Sequence, residues 1–465
     1  MKEKYVAHVL AVPYPSQGHI CPMLQFCKCL VSRGVKASFA ITNYISNTLN
    51  PKFDDECLRF VTISDGYDEG GFMEAKSVSD YLARLESVGS LALGDAIEQD
   101  VDSPNPITCV VYDAFLPWGL NVAKKYGLKG AVFFTQACGV NYVYYLIHHG
   151  KLSMPVNGPW VDVPGLPQLG VDDLPSFVGA PESYLAYLQL VLNQNSNVDA
   201  ADYVLVNTVY ELEDKVVDAM SNECPLLTIG PTIPSYYLDK QRPWDKTYGL
   251  DLFHLDPSPT TNWLSTKPPR SVIYVSFGSM ACLPKDQMQE LALSLKESAY
   301  NFLWVVRACE EAKLPKEFVY DTSSKGLIVR WAPQLEVLAS EAIGCFLTHC
   351  GWNSTLEALV MSVPMVGMPQ WTDQPLDAKL IEDVWKVGIR VKVNENGLVE
   401  REEIGRCIVS VMEGETRSEL VENAKKWKGL VKKAICQGGS SDRNIGKFIN
   451  NISNSLGGEC SENRT

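Results

Sequence analysis

Apolar residues in this chain come in short unbroken runs, separated by stretches in which they recur every three or four positions. The run YVAHVLAVP stops at Pro13. HICPMLQFCKCLVSRG follows with helical spacing up to Gly34, and VKASFAIT is the next run. The same order returns in PITCVVYD, LPWGLNVAKKYG and GAVFF. It returns again after residue 270, in SVIYVSFG, KDQMQELALSLKES, NFLWVV, GLIVRW, IGCFLT, STLEALVM and VPMVGMP. A run that is apolar at every position suits a strand covered on both faces, and the helices between such runs supply the cover. The pattern predicts an α/β protein with two doubly wound parallel sheets.

Between the two sets lies PTIPSYYLDKQRPWDKTYGLDLFHLDPSP, rich in Pro, Tyr and Asp and without a period. It predicts an interdomain linker over 234–258, with a first domain at 1–233 and a second beginning at 259. VPGLPQLGVDDLPSF (163–177) reads as a surface loop of the first domain, and the tail GGECSENRT as frayed. Two doubly wound domains suggest a cleft, with ligands held at the C-terminal ends of strands.

Length and charge narrow this picture. The 465 residues fit two domains of roughly 200 each. A formal net charge of −14 argues against nucleic acid or an anionic membrane as the main partner. An anionic ligand must then be held by local geometry. The 14 cysteines are scattered without a CxxC pair, which points to free thiols in a reducing compartment and a cytoplasmic location. No run approaches about 18 apolar residues, so no membrane span is expected. The N-terminal run holds His8 and stops at Pro13, which suits a strand better than a signal peptide.

The strand ends carry the candidate chemistry. After the first run comes PYPSQGHICPM, with neither GxGxxG nor a phosphate loop. It offers His19 at the start of a helix, either as a proton acceptor or as a packing residue. Asp113 ends another strand that would reach the same edge. A carboxylate there fixes an imidazole tautomer; the alternative is a helix N-cap for AFLPWGL, and the two roles are compatible. In the second domain, THCGWNSTLEA turns from strand to helix. The unpaired amides of that helix start, with Asn353, Ser354 and His349, suit a diphosphate without a P-loop or a metal. Gly278 and Ser279 end a neighbouring strand. A His349–Cys350 nucleophilic pair has poor geometry, and no second ligand pair supports zinc. Cys350 reads as a small buried residue, and Trp352 as core or ligand. Trp331 can stack on a base or pack an interface. Asp373 and Gln374 can share hydrogen bonds with adjacent sugar hydroxyls or cap a helix.

Trp331 to Gln374 resembles the signature box of plant secondary-product UDP-glycosyltransferases, and SQGHICPM and VVYDAF resemble that family's catalytic segments. SDGYDEGG and DAFLPWGLNVA are similar to subfamily 74. The resemblance implies a GT-B fold of two Rossmann-like domains. The first takes the acceptor, the second (259–439) takes the UDP-sugar, and a C-terminal helix within 440–465 returns to the first. It implies that Trp331 stacks on uracil, with the backbone of Ala332 at its edge, and that Gln334 and Glu357 hold the ribose. His349, Gly351, Asn353, Ser354 and Ser279 would form the diphosphate clamp. Trp352, Asp373 and Gln374 would hold the sugar, with Thr135 at its 6-hydroxyl. Ser362 replaces the family's usual Gly, away from the expected ligand.

The implied activity is inverting, metal-independent transfer of glucose from UDP-glucose, with His19 as base and Asp113 as its partner. No cofactor beyond the donor is expected, and a monomer is. The apolar, aromatic loops of the first domain suggest a small hydrophobic acceptor, a steroid or triterpenoid ahead of a phenol or acid. Tyr14, Phe115, Gln136, Tyr142, Phe177 and Tyr184 are its candidate lining. An epimerase or hydrolase on the same fold, and a non-catalytic carrier of apolar ligands, are the rival readings.

Overall fold

The computed structural model describes residues 5–49, 58–156, 158–250 and 258–453. The last part of the expected linker (251–257) and the tail after Ser453 lie outside them. Among the described residues, nine strands belong to the first half: β1 (His8–Val12), β2 (Lys36–Thr42), β3 (Leu58–Ile63), β4 (Cys109–Asp113), β5 (Lys129–Phe134), β6 (Trp160–Val161), β7 (Leu169–Gly170), β8 (Tyr203–Val206) and β9 (Leu227–Thr228). Seven of them form one parallel sheet in the order β3-β2-β1-β4-β5-β8-β9, while β6 and β7 make a small antiparallel ribbon. The second half contributes β10 (Val272–Ser276), β11 (Asn301–Val305), β12 (Gly326–Val329), β13 (Ile343–Thr348), β14 (Met365–Gly367) and β15 (Gly388–Arg390). They form a second parallel sheet ordered β12-β11-β10-β13-β14-β15. Helices cover both sheets, and the result is the GT-B architecture.

Period-two burial explains the uniformly apolar strands. In β1, Val9 and Ala11 enter one core with the helix Gln17–Val31, while Leu10 and Val12 enter another on the opposite face. In β10, Ile273 and Val275 face one core, and Val272 and Tyr274 the other. Each sheet is therefore buried twice, which demands apolar residues at every position. One of these cores is continuous across both halves.

The helix Ser440–Ser453 lies against the first sheet. Phe448 packs at 5.9 Å from Phe26 and 5.3 Å from Tyr203. Segment 163–177 departs from its reading as a surface loop. Leu174 and Phe177 are buried, and Asp173 pairs with Arg390 at 2.7 Å and with Lys379 at 3.2 Å in the other half. Its Pro and Gly content reflects tight turns at an interface.

Both sheets reverse direction beside their first strand. In the first sheet, β1 lies between β2 and β4; in the second, β10 lies between β11 and β13. Chain segments leaving two such strands diverge to opposite faces and open a crevice. The crevices carry the segments after β1 and β4 in one half, and after β10 and β13 in the other.

Candidate active site

The helix Gln17–Val31 starts directly after the β1 turn and places His19 in its first turn. Asp113 is the last residue of β4, which pairs in parallel with β1. The topology brings them together: His19 Nδ1 lies 2.7 Å from Asp113 Oδ2. Asp113 is buried, whereas the His19 ring keeps 15 % of its surface exposed. The other carboxylate oxygen accepts from the Phe115 N–H at 3.0 Å. Asp113 therefore closes a local turn rather than capping the helix, which begins later, at Trp118. With Nδ1 engaged, Nε2 is the atom available to a ligand. Thr135 Oγ1 stands at 3.4 Å from the same Nδ1.

Aromatic rings surround this pair. Tyr14 meets the His19 ring edge-on at 5.3 Å, and Phe115 approaches it at 4.7 Å. Tyr81 extends the wall, 6.4 Å from Tyr14. A second group comprises Phe177, Tyr184, Tyr187 and Trp371, with Phe177 stacked on Tyr187 at 5.5 Å and 5.8 Å from Trp371. The Tyr14 hydroxyl is held above the usual phenol range by burial first, then by Tyr187 and Asp113.

Of the expected acceptor lining, Tyr14, Phe115, Phe177 and Tyr184 are brought together in these walls. Gln136 is nearly buried and hydrogen-bonded through its backbone to Asn141. Tyr142 is buried beside Tyr145, ring centroids 6.4 Å apart, and its hydroxyl is pushed up by burial and then by Glu223, against Lys151. Tyr144 of the same helix is wholly buried, and burial, then Asp373 and Asp377, push its hydroxyl up.

Across the cleft, β13 ends at Thr348 and its hydroxyl receives the Cys350 N–H at 3.2 Å. Cys350 takes a left-handed turn (φ 67) and is fully buried. Gly351 then opens the helix Trp352–Met361, whose start carries neither a side-chain cap nor an acidic residue. Such a helix end favours an anion. The His349 ring lies between two glycines. A Cβ on Gly278 (φ 72) or on Gly351 would come within 2.7 Å of its Nε2. Burial pushes this imidazole down to about 4 against the pull of the Ser276 carbonyl, so it is neutral at pH 7.

Ser354 and Glu357 both accept from Gln334 Nε2 at 2.8 Å, and Gln334 Oε1 accepts from the Tyr274 hydroxyl at 3.1 Å. Burial pushes the Glu357 carboxyl up to about 8, with Gln334 pulling the other way. Trp331 is half-buried just beyond β12, followed by the buried Ala332. Ser279 is exposed after β10, and its carbonyl accepts from Arg307.

Two residues of the box have further partners. Asn353 donates to the Gly18 carbonyl at 2.8 Å, one residue before His19. The Trp352 indole N–H donates to the Asn207 carbonyl at 2.7 Å, so its side chain bridges the halves and its backbone N–H, 3.4 Å from Asp373 Oδ2, faces the site. Asp373 sits at the start of the helix Gln374–Lys379, yet its side chain does not cap that helix. Gln374 Oε1 accepts from the Gln370 and Trp371 N–H groups at 2.9 and 3.1 Å, leaving its Nε2. Asp377, one turn on and wholly buried, has its carboxyl pushed well up by burial and by Asp373. Its helical spacing from Asp373 was the available signal, and Tyr144 had none beyond its place on a tyrosine-rich helix.

Comparison with known proteins accords with this geometry. A family model described as UDP-glucoronosyl and UDP-glucosyl transferase matches residues 243–421. UDP-glycosyltransferase 74F2 of Arabidopsis thaliana is 52% identical, covering 96% of this chain and 98% of the relative. Flavonol 7-O-beta-glucosyltransferase UGT74F1 of the same plant is 50% identical over 97% and 99%. The crystal structure of Os79 from O. sativa in complex with UDP superposes with a TM-score of 0.90 at 38% identity, covering 96% of this chain and all of Os79. On this evidence the chain belongs to the plant family 1 UDP-glycosyltransferases, among the members of subfamily 74, and is a UDP-glucosyltransferase acting on small molecules.

Proposed function

We propose that the enzyme transfers glucose with inversion from UDP-glucose to a hydroxyl of a hydrophobic polycyclic acceptor of the steroid or triterpenoid class. The observation that carries the mechanism is the His19–Asp113 hydrogen bond, which leaves Nε2 facing the cleft. Nε2 removes the acceptor proton as the hydroxyl oxygen attacks the anomeric carbon from the face opposite UDP. The bond from that carbon to the diphosphate oxygen breaks, and UDP departs with the electron pair. Asp113 holds the tautomer and balances the imidazolium. The α-linked donor gives a β-glucoside.

The donor reading follows the geometry across the cleft. Trp331 stacks on uracil with the Ala332 backbone at its edge. Gln334 and Glu357 take the ribose hydroxyls, and their shared hydrogen bond supports that pairing. The helix start at Gly351, with Asn353, Ser354, Ser279 and neutral His349, receives the diphosphate charge as it develops. Asp373, the remaining Gln374 amide hydrogens and the Trp352 backbone hold the glucose, with Thr135 beside its 6-hydroxyl.

The facing aromatic walls support a flat apolar acceptor. Mogroside I-E synthase of Siraitia grosvenorii is 44% identical over 96% of this chain, so relatives acting on mogrosides as well as flavonols share this architecture. A flavonoid phenol is the second reading, favoured by the flavonol 7-O-beta-glucosyltransferase at 50% identity. We place the acceptor domain at 1–233, the linker at 234–258 and the donor domain at 259–439. We assign the enzyme to the cytoplasm, since every described cysteine is a free thiol, and take it to be a monomer. Incubation with UDP-glucose and a panel of sterols, triterpenoids, flavonoids and aromatic acids tests the reading. A β-glucoside of a polycyclic alcohol as the best product is expected. Preferential phenol or ester products overturn the acceptor class, and sugar release without acceptor overturns transfer.

A further inference from the structure

Ser176 of the first half grips a single residue of the second. Its N–H donates to the Thr372 carbonyl at 2.8 Å, and its Oγ accepts from the Thr372 N–H at 2.7 Å. Both backbone polar groups of Thr372 are thus held by one residue across the cleft. Thr372 adopts φ 58, in the left-handed region. A β-branched residue is strained there and keeps that conformation only when its surroundings impose it.

The two residues that follow are Asp373 and Gln374. Thr372 runs directly into Asp373, and the Gln374 side-chain oxygen Oε1 accepts from the N–H groups of Gln370 and Trp371. The turn at Thr372 therefore sets the direction of both side chains. Ser176 also opens the short helix Ser176–Gly179, and Phe177 beside it packs on Tyr187 and Trp371. One dipeptide touches the acceptor wall through its ring and this loop through its hydrogen bonds. The Asp173 ion pairs with Arg390 and Lys379 anchor the same segment to the second half.

We propose that Ser176 is a positioning residue for the donor sugar, acting from the acceptor side by holding Thr372 in its left-handed turn so that Asp373 and Gln374 point at the glucosyl group. This rests on Asp373 and Gln374 being the sugar ligands. Ser176 influences the glucosyl part of the donor alone, since the uracil, ribose and diphosphate residues lie on other elements.

The test measures the KM for UDP-glucose at saturating acceptor, the Kd of UDP by calorimetry and the melting temperature. The full-length variants are Ser176→Ala, Ser176→Cys, Ser176→Thr and Asp373→Ala. Losing one hydrogen bond of about 1 kcal/mol corresponds to a roughly fivefold change. Ser176→Ala and Ser176→Cys are expected to raise the KM for UDP-glucose about fivefold, with the Kd of UDP within about twofold of wild type. Ser176→Thr, which keeps the hydroxyl, is expected to stay near wild type. A raised KM in Asp373→Ala with no change in Ser176→Ala or Ser176→Cys overturns the proposal alone. No change in any of them overturns the sugar assignment and the proposal with it. Equal loss of UDP and UDP-glucose affinity in the Ser176 variants marks a general structural role and also overturns it.

Discussion

Glu357 sits in the second turn of its helix with a carboxyl that burial has pushed up to about 8 from 4.5. In the free protein at neutral pH it is mostly protonated. Ribose hydroxyls donate best to a carboxylate, so UDP binding draws out that proton. Binding coupled to proton release strengthens as pH rises. UDP affinity measured by calorimetry is expected to rise between pH 6 and 8 and then level off, and Glu357→Gln is expected to flatten this dependence. A pH dependence unchanged in the variant contradicts the ribose role. The stability sign is the reverse: a carboxyl raised on folding favours the fold below about 4.5, and that contribution is lost as pH rises through about 8. At this scale His19, Asp113, His349, Asn353, Ser354 and Asp373 stood out as candidates because each lies at a strand end or helix start, whereas Glu357, a turn further in, was reached only through the family resemblance. The tyrosines of the helix Cys138–His148 were not legible: that helix is apolar on every side, so periodicity cannot say which of them faces the cleft.

Ser362 shows what an element asks of one residue. It ends the helix Trp352–Met361 in a left-handed conformation, φ 61 and ψ 39. Glycine adopts that geometry without a Cβ penalty, whereas an L side chain loses about 1 kcal/mol there. Ser362→Gly is expected to stabilise the protein by about 1 kcal/mol, read as a higher melting temperature, with UDP affinity unchanged. A lower melting temperature contradicts the cap assignment. The family's usual Gly at this position thus has a conformational reason, one that emerged only with the backbone angles. Most strands buried on both faces were legible because they are wholly apolar, though β8 (Tyr203–Val206) was not singled out. β3 was missed because it lies at the sheet edge and is broken by the exposed Arg59 and Thr62. Segment 163–177 was misjudged because Pro and Gly mark turns without saying what the turns pack against.

At the scale of the whole molecule, tryptophans of the second half fasten it to the first. The Trp385 N–H donates to the Leu212 carbonyl at 3.0 Å, as Trp352 does to Asn207. Trp385 is buried, so Trp385→Phe strands a carbonyl and is expected to cost about 2 kcal/mol, seen in denaturant unfolding with UDP affinity retained. An unchanged transition contradicts the role of that contact. Pairings more than 100 residues apart leave no local pattern, which is why the sequence showed two sheets but not how they are tied. Their approach sets the Asn353 amide against Gly18 and brings the start of the helix Trp352–Met361 beside His19. The proposed mechanism assigns proton chemistry to the first half and donor binding to the second. The most direct test is His19→Ala, assayed for glucoside formation on an alcohol acceptor alongside its UDP affinity. The account predicts a kcat lower by about 10²–10⁴ with the Kd of UDP unchanged; full turnover by His19→Ala would contradict it.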